Sequence, residues 1–145
     1  MEDVQTEQEA VRERIAKIFS ENTAIMVATT GGEYSPWILG AYFGTDGLDI
    51  YLLLEKHGKT ISNLEINKNV AIVISQNDAM KDFLQGQGTL EILSDDEDAR
   101  VRQMILDKLP EFQTFTPVSP VKIHIKKFFV TSLELGWCPA KTLDN

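Results

Sequence analysis

The stretch Tyr51–Ser75, YLLLEKHGKTISNLEINKNVAIVIS, decides how this chain is read. Tyr51–Leu54 is a hydrophobic, strand-like run, and Val70–Ile74 is a second, of the kind expected in a buried strand. Between them lies a loop carrying Lys56, His57, Gly58, Lys59 and Thr60, then a short helix-like segment, Ile61–Ile66, with Asn63 and Asn67 near its end. The loop places positive charge, a glycine and a hydroxyl in front of a helix start. Free backbone N–H groups and the helix dipole favour an anion there, so Lys59, Thr60 and the loop backbone form a candidate phosphate cradle. The same residues also suit a solvated turn. Neither the glycine count nor the spacing of a P-loop is present.

The charge balance sharpens this reading. The chain has 145 residues, 43% hydrophobic and 25% charged, with a net charge of −8. A local basic patch in so acidic a chain does not follow from bulk composition. The acidity argues against nucleic acid and against an anionic membrane surface, since both kinds of binding lean on many Lys and Arg side chains. No apolar run approaches the ~18–20 residues of a membrane span. The N-terminus, MEDVQTEQEAVRER, has no apolar signal region, and the one cysteine, Cys138, has no internal partner for a disulfide. A single cytoplasmic domain over residues 1–145 is expected.

Outward from the central stretch, period and punctuation give the elements. Glu7–Phe19 reads as an amphipathic helix with Val11, Ile15, Ile18 and Phe19 on its apolar face. Three strands follow: Ala24–Thr30, Trp37–Phe43 and Leu48–Leu54. Gly31-Gly32 and Thr45-Asp46-Gly47 are the turns between them, and Pro36 stands where a missing N–H is tolerated. Val70–Ser75 is the fourth strand and Phe83–Leu93 the fifth, its Gly86 and Gly88 marking a bend or a close approach. Ser94 to Glu97 form a capping box ahead of a helix ending near Leu109. Glu111–Pro120 is an ordered loop. Val121–Leu135 is the last strand, with a bulge at Lys126-Lys127, and GWCPAKTLDN is a tail. Six strands joined mostly by short turns, with flanking helices, predict a small antiparallel barrel: mainly β, α+β.

Other chemistry is sparse in the sequence. His57 and His124 are the only histidines and lie in different elements, so no metal site is expected. No residue in sequence supplies Cys138 with a base, and the Asp95–Asp98 acidic run is explained by the helix dipole. Trp37, Tyr51, Phe83 and Trp137 are either core aromatics or a stacking surface for a planar ligand. Trp137, between Gly136 and Pro139, must bury against its own barrel or a partner.

Taken in order, AIMVATTGGEYSPWILGAYF, GLDIYLLL, HGKTISNLEINKNVAIVI, LQGQGTLEIL and VKIHIKKFFV resemble the pyridoxamine 5′-phosphate oxidase-like superfamily of FMN-binding split β-barrels, and among them the small stand-alone members. The resemblance covers nearly the whole chain. It implies a six-stranded antiparallel split β-barrel working as a homodimer, with FMN in grooves between subunits. By position it implies that Lys59 and Thr60 hold the FMN phosphate. Trp37, Ile38 and Leu39 run along the isoalloxazine, Leu53 and Leu54 lie beside the ring and ribityl chain, and Trp137 reaches the partner's flavin. Pro36 and Ala41 stand where the vitamin B6 oxidase has an arginine and a lysine, and its C-terminal arginine–histidine motif is absent. The implied role is therefore redox or electron transfer rather than pyridoxamine phosphate oxidation. The alternatives are an FMN-dependent oxidoreductase on a small substrate, or a member that binds haem or the deazaflavin F420, or no cofactor.

Overall fold

The structure, a computed structural model, describes residues 4–145; Met1–Asp3, part of the charged N-terminal segment, lie outside the described residues. Helix α1 (Val4–Glu21) leads into strands β1 (Ala24–Thr29), β2 (Trp37–Tyr42), β3 (Gly44–Asp46) and β4 (Asp49–Glu55). Helix α2 (Lys59–Ile66) connects β4 to β5 (Asn69–Ile74), and β6 (Phe83–Ile92) follows. A 3-10 turn, Asp95–Glu97, opens onto α3 (Asp98–Lys108), and the chain ends in β7 (Val118–Ser132) and β8 (Trp137–Asp144). No helix among the described residues is long and apolar enough to cross a membrane.

All strands join one antiparallel sheet in the order β2-β1-β5-β6-β7-β4-β3, with β8 on a further edge of β7. The sheet curls until β2, at one edge, faces β4, next to the other. This is the antiparallel split barrel that the sequence predicts, with eight strands among the described residues in place of six. The two additions have physical reasons. Gly44–Asp46 is too short to show a pattern, but it pairs with β4 through a two-residue turn at Gly47, whose φ of +61° suits glycine. The tail GWCPAKTLDN is itself strand β8. A turn at Gly136 sends it back along β7, pairing Ser132 with Trp137 and Lys127 with Asp144. Its two apolar residues at the start and one leucine near the end carry too weak an alternation to announce a strand.

The run Tyr51–Leu54 is buried at every position because β4 is covered on both faces. Leu52 and Leu54 face the main core with Ile25, Val27, Ile72 and Phe128, and α1 closes that core with Val11, Ile15, Ile18 and Phe19. Tyr51 and Leu53 face the other way and pack with Val101 and Ile105 of α3. The glycines of β6 serve close approach. A Cβ on Gly88 would lie 2.0 Å from the His124 carbonyl oxygen. Beside it the register slips, with Gln87 opposite Lys127 and Gly88 opposite Ile125, so Lys126 is the extra residue of the expected bulge. Ser94 caps the 3-10 turn through the Asp96 N–H at 3.3 Å, whereas Glu97 binds Arg100 instead of closing a capping box.

The end of α1 is tied to α3. Two carbonyls of its last turn lack intrahelical partners; Asn22 Nδ2 donates to that of Ile18 at 2.7 Å, and Lys108 Nζ to that of Phe19 at 3.1 Å. The Lys108 ammonium also stands over the Phe43 ring, 3.6 Å from its centroid. Burial pushes this amine down to about 8, although the ring face and the carbonyl both favour its charged form. The unfolded chain keeps that proton to near 10.5, so across this window unfolding takes up a proton and rising pH favours the native state. The expected outcome is that stability of the wild type relative to Lys108→Met climbs between pH 8 and 10, measured by urea unfolding at each pH. A flat difference would mean that Phe43 and the Phe19 carbonyl fully offset burial.

Candidate functional site

The site begins with helix α2. Its N-cap is Gly58, in extended conformation (φ −79°, ψ 171°), and no side chain caps the helix. The N–H groups of its first turn therefore lack an intrahelical acceptor and face outward. Lys59 and Thr60 are its first two residues. A Cβ at Gly58 would crowd Glu55, at 3.0 Å from its Cβ, so glycine keeps this corner tight. Thr60 and Asn63 are buried, and both carry an unsatisfied oxygen: Thr60 Oγ1 and Asn63 Oδ1 have no hydrogen-bond partner.

Asn63 and Asn67 explain how the loop between β1 and β2 is held. Asn63 Nδ2 donates to Thr29 Oγ1 and to the Tyr34 carbonyl, each at 3.1 Å. Asn67 Nδ2 donates to Thr30 Oγ1 at 3.2 Å. Gly31 and Gly32 fit against these two side chains, and Gly31 has a φ of +100°. The pinned loop delivers Tyr34 and Trp37 to Lys59. The Lys59 ammonium lies 5.3 Å from the Tyr34 ring centroid and 5.6 Å from that of Trp37, and no carboxylate of the described residues is within ion-pair distance of it. This is a cation held by two aromatic faces.

A groove of about 560 Å³ opens between β2, β4, the start of α2 and the 112–118 segment. That is a size for a cofactor or drug-sized ligand. Of the residues implicated from sequence, Trp37, Leu39, Leu53, Leu54, Lys59 and Thr60 all line it. Elements far apart in sequence thus converge on one cavity. Ile38 does not line it. It sits on the outer face of the β1–β2 hairpin, 62% exposed, beside Met26 and Tyr42. Trp137 does not line the groove of its own chain either; it starts β8 and packs, partly buried, against the main core. As an edge strand, β2 pairs only with β1, so half of its backbone N–H and C=O groups are free of the sheet. Trp37 lines the groove, and its indole Nε1 is buried without a partner.

Several participants were not legible in the sequence. Tyr34 lies in a loop with no periodicity. Glu55, Phe112 and Phe115 also line the groove, the last two from the proline-containing loop. Two aromatics three residues apart in such a loop, Phe112 and Phe115, were the one available sign. The groove combines a cationic, donor-rich end at Gly58–Thr60 with aliphatic and aromatic walls. Among the described residues no group of three or more His, Cys, Asp or Glu side chains is arranged to hold a metal.

No family model matches the chain, and no curated protein matches it. Solved structures do. The heme binding protein of Mycobacterium smegmatis superposes with a TM-score of 0.69 at 18% identity, over 88% of this chain and 55% of that one, so this chain spans little more than half its length. A pyridoxamine 5′-phosphate oxidase candidate from Listeria innocua gives 0.69 at 19% identity, over 83% of this chain and 97% of that one. General Stress Protein 26 of Bacillus anthracis gives 0.68 at 17%, over 93% and 98%. At these identities the likeness speaks for the fold alone: the chain shares with these proteins an antiparallel split β-barrel, the fold that the sequence resemblance implied.

The role of Asn63 has a measurable consequence. Asn63→Ala removes the two bonds that Asn63 makes to the end of β1 and the loop after it, and leaves the buried Thr29 hydroxyl and the Tyr34 carbonyl without that donor. A loss of about 1–3 kcal/mol in urea unfolding is expected, together with greater protease sensitivity between Gly31 and Pro36. Unchanged stability would show that the loop is held by other contacts.

Proposed function

We propose that this chain is an FMN-binding flavoprotein with a redox or electron-transfer role. The observation that carries the reading is the convergence of Lys59, the unpartnered Thr60 Oγ1 and the uncapped start of α2 at one end of the groove. A phosphate monoester finds there a cation, a hydroxyl and free backbone N–H groups. Leu39 and Leu53 supply an apolar bed for a planar ring, and the free edge of β2 supplies hydrogen bonds to its polar rim. The residues present fit the group. When bound, FMN supplies hydride or single-electron transfer. The protein positions it, keeps water from its inner face and sets the local electrostatics, in which the nearby Glu55 carboxylate opposes excess negative charge at the phosphate end.

Haem is the second reading, motivated by the description of the Mycobacterium smegmatis protein. The lining of this groove favours FMN, because neither His57 nor His124 lines it and it carries no cysteine or methionine, which leaves Tyr42 as the lining residue of a type that ligates haem iron. The spectrum of the purified protein, with mass analysis of what denaturation releases, separates flavin from haem. Steady-state turnover with NAD(P)H and an acceptor then tests for an oxidoreductase.

Lys59→Ala is expected to weaken FMN binding by about one to two powers of ten, as loss of a charge-assisted contact of roughly 1.5–3 kcal/mol would do. Unchanged affinity in a fluorescence titration would remove Lys59 from the site.

The reading includes a homodimer. Met26, Ile38 and Tyr42 are 49%, 62% and 46% exposed on one face of the β1–β2 hairpin, next to the groove. Covering this face with a second copy would bury apolar surface, and Trp137 of the partner is proposed to approach the flavin there. Sedimentation at micromolar concentration should give twice the chain mass, and Ile38→Glu should shift it toward monomer. A monomeric wild type would sink this part of the reading.

A further inference from the structure

Phe115 is the most exposed large hydrophobic residue of the described chain, at 88%, yet it lines the groove. A phenylalanine standing in water forgoes the free energy of burial. Looseness of its loop does not account for this, because both neighbours are anchored. Before it, Thr114 Oγ1 accepts from Arg102 Nη1 at 3.0 Å. Arg102 is itself gripped by Asp98 through Nε at 2.9 Å and Nη2 at 3.1 Å. After it, Thr116 Oγ1 donates to Glu55 Oε1 at 3.4 Å, and the Pro117 carbonyl accepts from the Lys56 N–H at 2.9 Å. Phe112, three residues earlier, is turned inward and meets the Tyr42 ring edge-to-face, with centroids 5.9 Å apart. The loop therefore partly buries one ring and holds the other out, at the rim of a cavity whose other walls carry Trp37, Lys59 and Thr60.

We infer that Phe115 stacks on the planar ring of the ligand that occupies this groove. The site then selects molecules that join an extended aromatic ring to an anionic end. The inference rests on the reading of the groove as a cofactor site and deepens it. The anionic end lies at Gly58–Thr60, and the ring lies between β2 and the 112–115 segment. Because Phe115 is set by its anchored neighbours, it meets the ligand with little ordering cost, which is what makes a rim aromatic effective in recognition.

The test is a titration of wild type, Phe115→Ala, Phe115→Trp and Lys59→Ala with FMN, riboflavin and haemin, with urea midpoints as a folding control. Phe115→Ala should weaken FMN and riboflavin by the same factor, about three- to tenfold for the loss of one stacked ring. Phe115→Trp should restore both, and Lys59→Ala should weaken FMN while leaving riboflavin unchanged. Equal affinities of wild type and Phe115→Ala for every ring the wild type binds would overturn the inference and leave the cofactor site standing. So would a Phe115→Ala variant that changes only the sedimentation mass, since the ring would then belong to a contact between copies. If the wild type binds neither flavin but takes haemin, the flavin reading falls, and weaker haemin binding by Phe115→Ala still supports the stacking role. A wild type that binds none of the three overturns both.

Discussion

The burial of β4 on both faces is the constraint on which the rest of the molecule depends. A strand with Leu52 and Leu54 turned to one side and Tyr51 and Leu53 to the other cannot stand at a half-wet sheet surface. It requires the barrel core within and a helix without, and α3 answers with Val101 and Ile105. Once α3 lies there, its following loop must run back past the end of β4 to enter β7. The backbone bond from Lys56 to the Pro117 carbonyl marks that crossing. One wall of the groove is therefore a by-product of covering β4.

The groove's polar end comes from a second device, the short helix after β4. Eight residues of helix contribute little stability of their own. Their value is positional. Ile61 and Leu64 seat the helix on the core, and Asn63, buried on the same face, reaches across to the loop before β2. That bond sets the loop, the loop sets Tyr34 and Trp37, and those rings set the Lys59 ammonium. A chain of neutral contacts thus ends in one cation beside an uncapped helix start. In a protein with a net charge of −8, this concentrates positive potential at one helix start.

The split-barrel frame is shared with proteins whose names concern haem, pyridoxamine phosphate and stress. A fold tolerant of such variety leaves function to the groove lining. Here that lining carries a lysine, two threonines and aromatic rings but neither histidine.

The sequence by itself determined the elements whose signal is local. Period 3.6 placed α1, uninterrupted hydrophobic runs placed β1, β4 and β5, and Gly-Lys-Thr ahead of an apolar helix marked the anion end at Lys59 and Thr60. Even the bulge at Lys126 was legible, because two lysines interrupt a strand that otherwise alternates. Only the tertiary structure decided the rest. Strand β3 and the terminal strand β8 exist because neighbouring edges offer them hydrogen bonds, which no pattern within their few residues records. Which residues of β2 meet the groove is decided by what packs around the strand: Leu39 and Tyr42 line it from opposite faces, and Ile38 does not. Phe112 and Phe115 read alike in sequence. One is partly buried and the other held out, because long-range bonds to Arg102 and Glu55 anchor Thr114 and Thr116 on either side of Phe115, and such bonds have no local signature.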